Sequence, residues 1–188
     1  MPIDLLYIQD RIADNDTSAL KELYDHFGGR LLQLAFAIIR SKEMAEEIVE
    51  DVFIKVWEKR AKLPGIENIQ WWLYVITRNI SLNYLRKSYG KVYFNIDEVQ
   101  LPYYQVVATP EDLMISGEMI KKINFAINDL PPKCRLIFKL VKEDGLKYKE
   151  VAALLNVNLK TVENQIGIAL KKIHGSVNIY LPQFRTGH

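Results

Sequence analysis

Apolar residues recur at helical spacing along most of this chain, and the pattern breaks at a few defined points. Asp16-Thr17-Ser18 carries a helix-start signal, and Leu20, Leu23, Tyr24, Phe27, Leu31, Leu34, Ala35 and Ile38 follow on one face. Gly28-Gly29 lies inside that run and predicts a kink or weak point. A second helix starts near Ser41. Its stripe is Met44, Ala45, Ile48, Val49, Val52, Phe53, Val56 and Trp57, with Glu46, Glu47, Glu50 and Asp51 on the other side. Lys62-Leu63-Pro64-Gly65 is expected to break it. A third helix is predicted from about Ile69 to Lys87, with Trp72, Leu73, Ile76, Ile80 and Leu85 available for the core.

Residues 88–112 lose the period and read as a linker. Pro102 and Pro110 punctuate it, and Tyr89, Tyr93, Phe94, Tyr103 and Tyr104 make it too aromatic for a purely solvated tether. Helical spacing resumes near Leu113 with Ile120, Ile123, Ala126 and Ile127. Pro131-Pro132 opens another helix, whose apolar face is Leu136, Ile137 and Leu140. The fold class expected is all-α, with two small helical domains at residues 1–87 and 113–188. No strand pattern stands out in either.

Residues 146–164 hold the most specific local pattern. Val151, Leu154 and Leu155 share one helix face, and Asn156-Val157-Asn158 interrupts it. Asn156 tolerates the left-handed backbone that ends a helix. Asn158 can cap the next one. Val162, Ile166, Ala169, Leu170 and Ile173 then form a buried side. Lys160, Thr161, Asn164 and Gln165 face the other way, and such side chains bond phosphates and base edges. This is a helix-turn-helix pattern.

Charge sharpens that reading. Residues 1–112 hold 13 Lys and Arg against 17 Asp and Glu, a net of −4, whereas residues 113–188 hold 12 against 6, a net of +6. The basic half coincides with the helix-turn-helix, as a phosphate-binding surface requires. The acidic half calls for a partner other than duplex DNA. The single cysteine, Cys134, excludes a disulfide framework, and with only 3 His residues no metal cluster is expected. Cys134 reads as a small packing residue. No apolar run approaches the roughly 20 residues of a membrane span, and no secretory signal is visible, so a cytoplasmic protein without membrane insertion is expected. No Gly-rich phosphate loop or catalytic cluster points to an enzyme, and no cofactor is implied.

Four segments in order resemble the extracytoplasmic-function (ECF) class of the bacterial sigma-70 family. Ala45–Trp57 is similar to the helix by which these factors bind RNA polymerase. Trp71–Arg86 is similar to the following helix, which reads the melted promoter strand. Leu130-Pro131-Pro132-Lys133-Cys134-Arg135 with the helix-turn-helix resembles the family's region 4. Arg11-Ile12-Ala13, Asn15-Asp16 and Leu23-Tyr24 match its N-terminal segment. The resemblance covers about residues 10–87 and 113–174. It implies a region 2-like helical bundle over 1–87, a linker over 88–112 and a region 4-like domain over 113–188.

The resemblance also implies roles. Glu47, Glu50 and Asp51 lie at i, i+3 and i+4 and would meet basic groups of core polymerase. Arg78 and Arg86 would take phosphates of the melted strand, while Asn79 and Asn83 read bases. The loop from Leu63 to Gln70 would receive a flipped-out base. One of Trp71 and Trp72 is expected in the core. Lys160, Thr161, Glu163, Asn164 and Gln165 would meet the upstream (−35) element in the major groove, and Lys147, Lys149, Lys171 and Lys172 its phosphates. Lys171 and Lys172 also suit a helix C-terminus on dipole grounds. The linker would run through the polymerase, and an anti-sigma factor, often membrane-anchored, would be a further partner. Four departures from the family stand out: Asn156 for the usual Gly, Asn158 for Ser, Ile168 for a common Arg, and Asn15 for Gly, the last with no consequence legible in sequence. The alternative function is a helix-turn-helix regulator that binds duplex DNA without polymerase.

Overall fold

The computed structural model describes residues 3–90, 95–99, 101 and 117–179. The chain divides into two compact units, Met1–Gln100 and Leu101–His188. Among the described residues every regular element is helical. None of these helices is long and apolar enough to cross a membrane.

The first unit holds α1 (Leu5–Ala13), α2 (Thr17–Ile39), α3 (Lys42–Glu58) and α4 (Ile69–Tyr89). Their starts follow from local chemistry. Asp4, Asp16, Ser41 and Asn68 each precede a helix and accept a free backbone N–H with the side chain. The helix α1 is an addition to the sequence reading, which placed only motif matches there. Ile8 and Ile12 are buried one turn apart, but nine residues are too few to stand out as a period.

Two predicted interruptions differ in the structure. Gly28-Gly29 does not break α2, which runs on to Ile39. A Cβ at Gly28 would meet the Tyr24 ring at 3.4 Å, so this glycine makes room for an aromatic ring. That ring packs edge-on against Phe53 of α3 at 4.9 Å. The helix α3 ends at Glu58, before Lys62-Leu63-Pro64-Gly65, and those residues lie in a 3-10 turn, Arg60–Gly65.

The core of this unit forms where α2, α3 and α4 meet. Ala35, Ala45 and Ile48 are fully buried, with Leu32, Phe36, Ile80 and Tyr84 packed around them. On α4 the buried set is Ile69, Leu73, Tyr74, Thr77, Ser81 and Leu82. Of the residues expected inside, only Leu73 is fully buried. Trp72, Ile76, Ile80 and Leu85 are half-buried, as is Trp71, so neither tryptophan is fully in the core. Thr77 and Ser81 are tolerated because their hydroxyls donate back to the carbonyls of Leu73 and Thr77, each at 2.8 Å.

The second unit holds α5 (Gly117–Asn128), α6 (Pro132–Phe138), α7 (Tyr148–Leu155) and α8 (Leu159–Ile179). Pro132 starts α6 at a position that needs no N–H. A π-helical turn, Lys139–Glu143, extends it. Leu130, Leu136, Ile137, Leu140, Val151, Leu154, Leu155, Val162, Ile166 and Ala169 build the core. Leu170, expected inside, is 47% exposed. The buried Arg135 guanidinium donates to the carbonyls of Asn128 and Leu101 at 2.9 and 2.8 Å, which satisfies a charge that burial would otherwise penalise. Most of the 88–112 segment, and residues 113–116, lie outside the described residues. Within it, α4 continues to Tyr89, and a short 3-10 turn at Ile96–Glu98 is flanked by buried Val99.

Candidate interfaces for nucleic acid and protein

The acidic ridge exists as a surface. Ala45, Ile48, Val49 and Val52 turn inward, which leaves Glu47, Glu50 and Asp51 exposed together on α3. Among the described residues none of the three has an ion pair within 4.0 Å. Their neighbour Glu46 is paired with Lys42 at 3.7 Å. Ile54, 55% exposed, lies one turn beyond Glu50 and Asp51 on the same face. The sequence reading missed it. The signal available was an isoleucine off the apolar stripe.

On α4, Asn79, Asn83 and Arg86 are exposed and lie one above the other at i, i+4 and i+7. Arg86 Nη1 donates to Asn83 Oδ1 at 2.9 Å, so these two act as one unit. Arg78 is half-buried, and its Nε is buried without a hydrogen-bond partner among the described residues. Burial first, and then the nearby Arg86, hold its guanidinium below the usual arginine range. Two cations that feel each other's charge make the C-terminal half of α4 attractive to phosphate.

The loop ahead of α4 is anchored at both ends. Leu63 is fully buried. Asn68 Oδ1 accepts the Trp71 N–H at 2.9 Å. Gln9 of α1 donates through Nε2 to the carbonyls of Leu63 and Ile66, at 2.5 and 2.9 Å. Asn15 has the consequence its sequence did not reveal. It adopts φ 66, where glycine is usual, and its Oδ1 accepts Arg60 Nε at 2.6 Å.

In the second unit the helix-turn-helix forms as its pattern predicts. Asn156 ends α7 at φ 53, ψ 49, the left-handed region. Asn158 Oδ1 accepts the Lys160 N–H at 2.8 Å and starts α8. Glu150 accepts the Lys147 N–H at 2.7 Å and fixes the start of α7. On α8, Lys160, Glu163, Asn164, Lys171 and Lys172 are exposed, while Thr161 and Gln165 are half-buried. Ile168 is 47% exposed on the same side as Asn164 and Lys171, so an apolar patch interrupts the polar face. Cys134 Sγ donates to the Gln165 carbonyl at 3.3 Å. Burial raises its pKa and keeps it a neutral thiol, in the packing role expected.

The lysines divide into two groups. Lys160 pairs with Glu163 at 3.1 Å, and Lys172 Nζ donates to the Asp129 carbonyl at 3.2 Å and its carboxylate at 3.4 Å. Lys147, Lys149 and Lys171 are exposed and, among the described residues, have no ion pair within 4.0 Å. Lys147 and Lys149 flank the N-terminus of α7, the end where the helix dipole disfavours cations. Local helix stability therefore does not explain them.

Comparison with known families matches both units. The profile described as Sigma-70 region 2 matches residues 23–89, and that described as Sigma-70, region 4 matches residues 120–173. The chain is 26% identical over 163 residues to the ECF RNA polymerase sigma factor SigW of Bacillus subtilis, covering 83% of this chain and 87% of that protein. It is 25% identical over 175 residues to the ECF RNA polymerase sigma-E factor of Escherichia coli, covering 89% and 91%. Among solved structures it is similar to CnrH in complex with the cytosolic domain of CnrY, with a TM-score of 0.49 and 19% identity over 93% of this chain and 97% of that one.

Proposed function

The chain belongs to the sigma-70 family, in its extracytoplasmic-function class, and from that premise we propose how each face of the protein acts in transcription initiation. As a sigma factor it binds core RNA polymerase, directs it to a promoter and opens the DNA there. It is a binding subunit, and phosphodiester chemistry belongs to the polymerase. Its place of action is the cytoplasm, where polymerase and promoter meet.

One observation carries the assignment of faces: region 2 and region 4 occur in order on one chain, and each presents a surface suited to a different ligand. In residues 1–87, Glu47, Glu50 and Asp51 with Ile54 form the polymerase-binding face. Exposed carboxylates with an exposed isoleucine beside them suit a basic, partly apolar partner. Arg78, Asn79, Asn83 and Arg86 hold the melted −10 strand, with arginines on phosphates and asparagines on base edges. The loop from Leu63 to Gln70 receives an unpaired base. Residues 88–112 form the linker. In residues 113–188, Lys160, Thr161, Glu163, Asn164 and Gln165 meet base edges of the −35 element, and Lys147, Lys149, Lys171 and Lys172 meet its phosphates. An anti-sigma factor, membrane-anchored or soluble, holds the protein inactive. A duplex-only regulator would leave the region 2 surfaces without a task.

The test is run-off transcription with purified core polymerase on the promoter upstream of the gene. The expected result is a specific transcript that requires the protein and is lost in both Glu50→Arg/Asp51→Arg and Asn79→Ala/Asn83→Ala. Duplex binding without core, and no transcript with it, would overturn the proposal.

A further inference from the structure

We infer that Gln9 is a positioning residue for promoter opening: from α1 it sets the backbone of the loop that receives the unpaired base. The inference rests on the role given above to the Leu63–Gln70 loop. Gln9 is 1% exposed, in a helix whose neighbouring Leu6, Tyr7 and Asp10 all face solvent. A buried amide is unfavourable unless its hydrogen bonds are made. Here the two Nε2 protons serve two carbonyls three residues apart, Leu63 and Ile66. The Ile66 N–H also closes onto the Leu63 carbonyl at 2.9 Å. One side chain thus fixes the chord of the turn from outside it.

The rest of the loop shows what this fixing achieves. Leu63 is sunk in the core, and Asn68 is committed to capping α4. Between these anchors Pro64, Gly65 and Glu67 are exposed. The result is an exposed turn, tied at both ends by hydrogen bonds and by burial of Leu63, beside the start of the strand-reading helix. A site that captures an unstacked base gains affinity from such preorganisation, because the loop does not have to be ordered during capture. Without the Gln9 donors, the two carbonyls would face α1 with fewer bonds, and the turn would be free to re-form elsewhere.

The test compares holoenzyme carrying wild-type protein with Gln9→Met, which keeps side-chain length and removes both donors. Binding to the upstream element on closed duplex is expected within about twofold of wild type. Opening, read by permanganate reactivity of unpaired thymines, is expected to fall about tenfold or more, the net value of the two hydrogen bonds removed. The defect should persist on a template whose −10 segment is already unpaired, and preference among the four bases there should weaken. If Gln9→Met does not fold, Gln9→Asn, which withdraws the amide by one methylene, takes its place in the same measurements. Wild-type behaviour of the variant on both templates would overturn the inference. So would full rescue by the pre-opened template with base preference intact, which would make Gln9 a packing residue only. Loss of the wild-type transcript itself would instead count against the assignment of the faces.

Discussion

The two groups of lysines predict different salt dependence. Each phosphate neutralised on duplex DNA contributes about 0.9 to the slope of log affinity against log salt. Lys147, Lys149 and Lys171 are exposed and unpaired among the described residues, so each is available to a phosphate without breaking another bond. Replacing all three by Ala should lower the slope by about 2.7. Between 50 and 200 mM salt, wild-type affinity should then fall about 40-fold more than that of the variant. Lys172 stands differently. To reach a phosphate its Nζ must leave the Asp129 carbonyl and carboxylate. That pair competes with a phosphate for the ammonium, so Lys172→Ala should change the slope by less than Lys171→Ala. The assay is fluorescence anisotropy of a labelled −35 duplex titrated with holoenzyme at several salt concentrations. Equal slopes for the two single variants would refute the argument from pairing. An unchanged slope in the triple variant would remove these lysines from the phosphate surface.

Two further predictions concern stability. Hydrogen bonds from Ser18, and then from Arg11, hold the Asp16 carboxyl down from 3.8 to about 2. A depressed carboxyl stabilises the fold above its unfolded pKa and loses that contribution as pH falls through its folded one. The gap between wild type and Asp16→Asn should therefore be full above pH 4 and close by about pH 2, as acid titration followed by circular dichroism will measure; parallel curves would contradict it. At Asn156 the left-handed backbone should make Asn156→Gly neutral or stabilising and Asn156→Val worse by about 1–2 kcal/mol in urea denaturation. Equal stability of the two variants would mean that the turn takes another conformation.

Several features were legible along the chain because their causes lie within a few residues. Asp16 and Ser41 as helix caps, Pro132 at a helix start, and the Asn156–Asn158 turn all depend on one backbone and its own side chains. The acidic ridge was legible as well, since i, i+3 and i+4 spacing places three residues on one helix face wherever that helix goes. The same locality explains the misses. Gly28 looked like a break because sequence alone does not show the Tyr24 ring packed over it. Tyr74, Thr77 and Ser81 looked less buried than Ile76 and Ile80 because hydrophobicity ranks residue types, not positions in a three-helix contact.

The sequence by itself determined which segments are helices, where most begin, and which residue types each face displays. Propensity, capping and amphipathic period are short-range properties that survive in any tertiary context consistent with them. Only the tertiary structure decided which of the displayed residues are available. Lys172 is engaged by Asp129, Asn83 by Arg86, Asn15 by Arg60, and the loop before α4 by Gln9. Most of these partnerships join residues far apart in the chain, and even the local pair, Asn83 with Arg86, depends on the rotamers chosen. Hydrogen bonds and ion pairs act over a few ångströms, so their partners are set by packing.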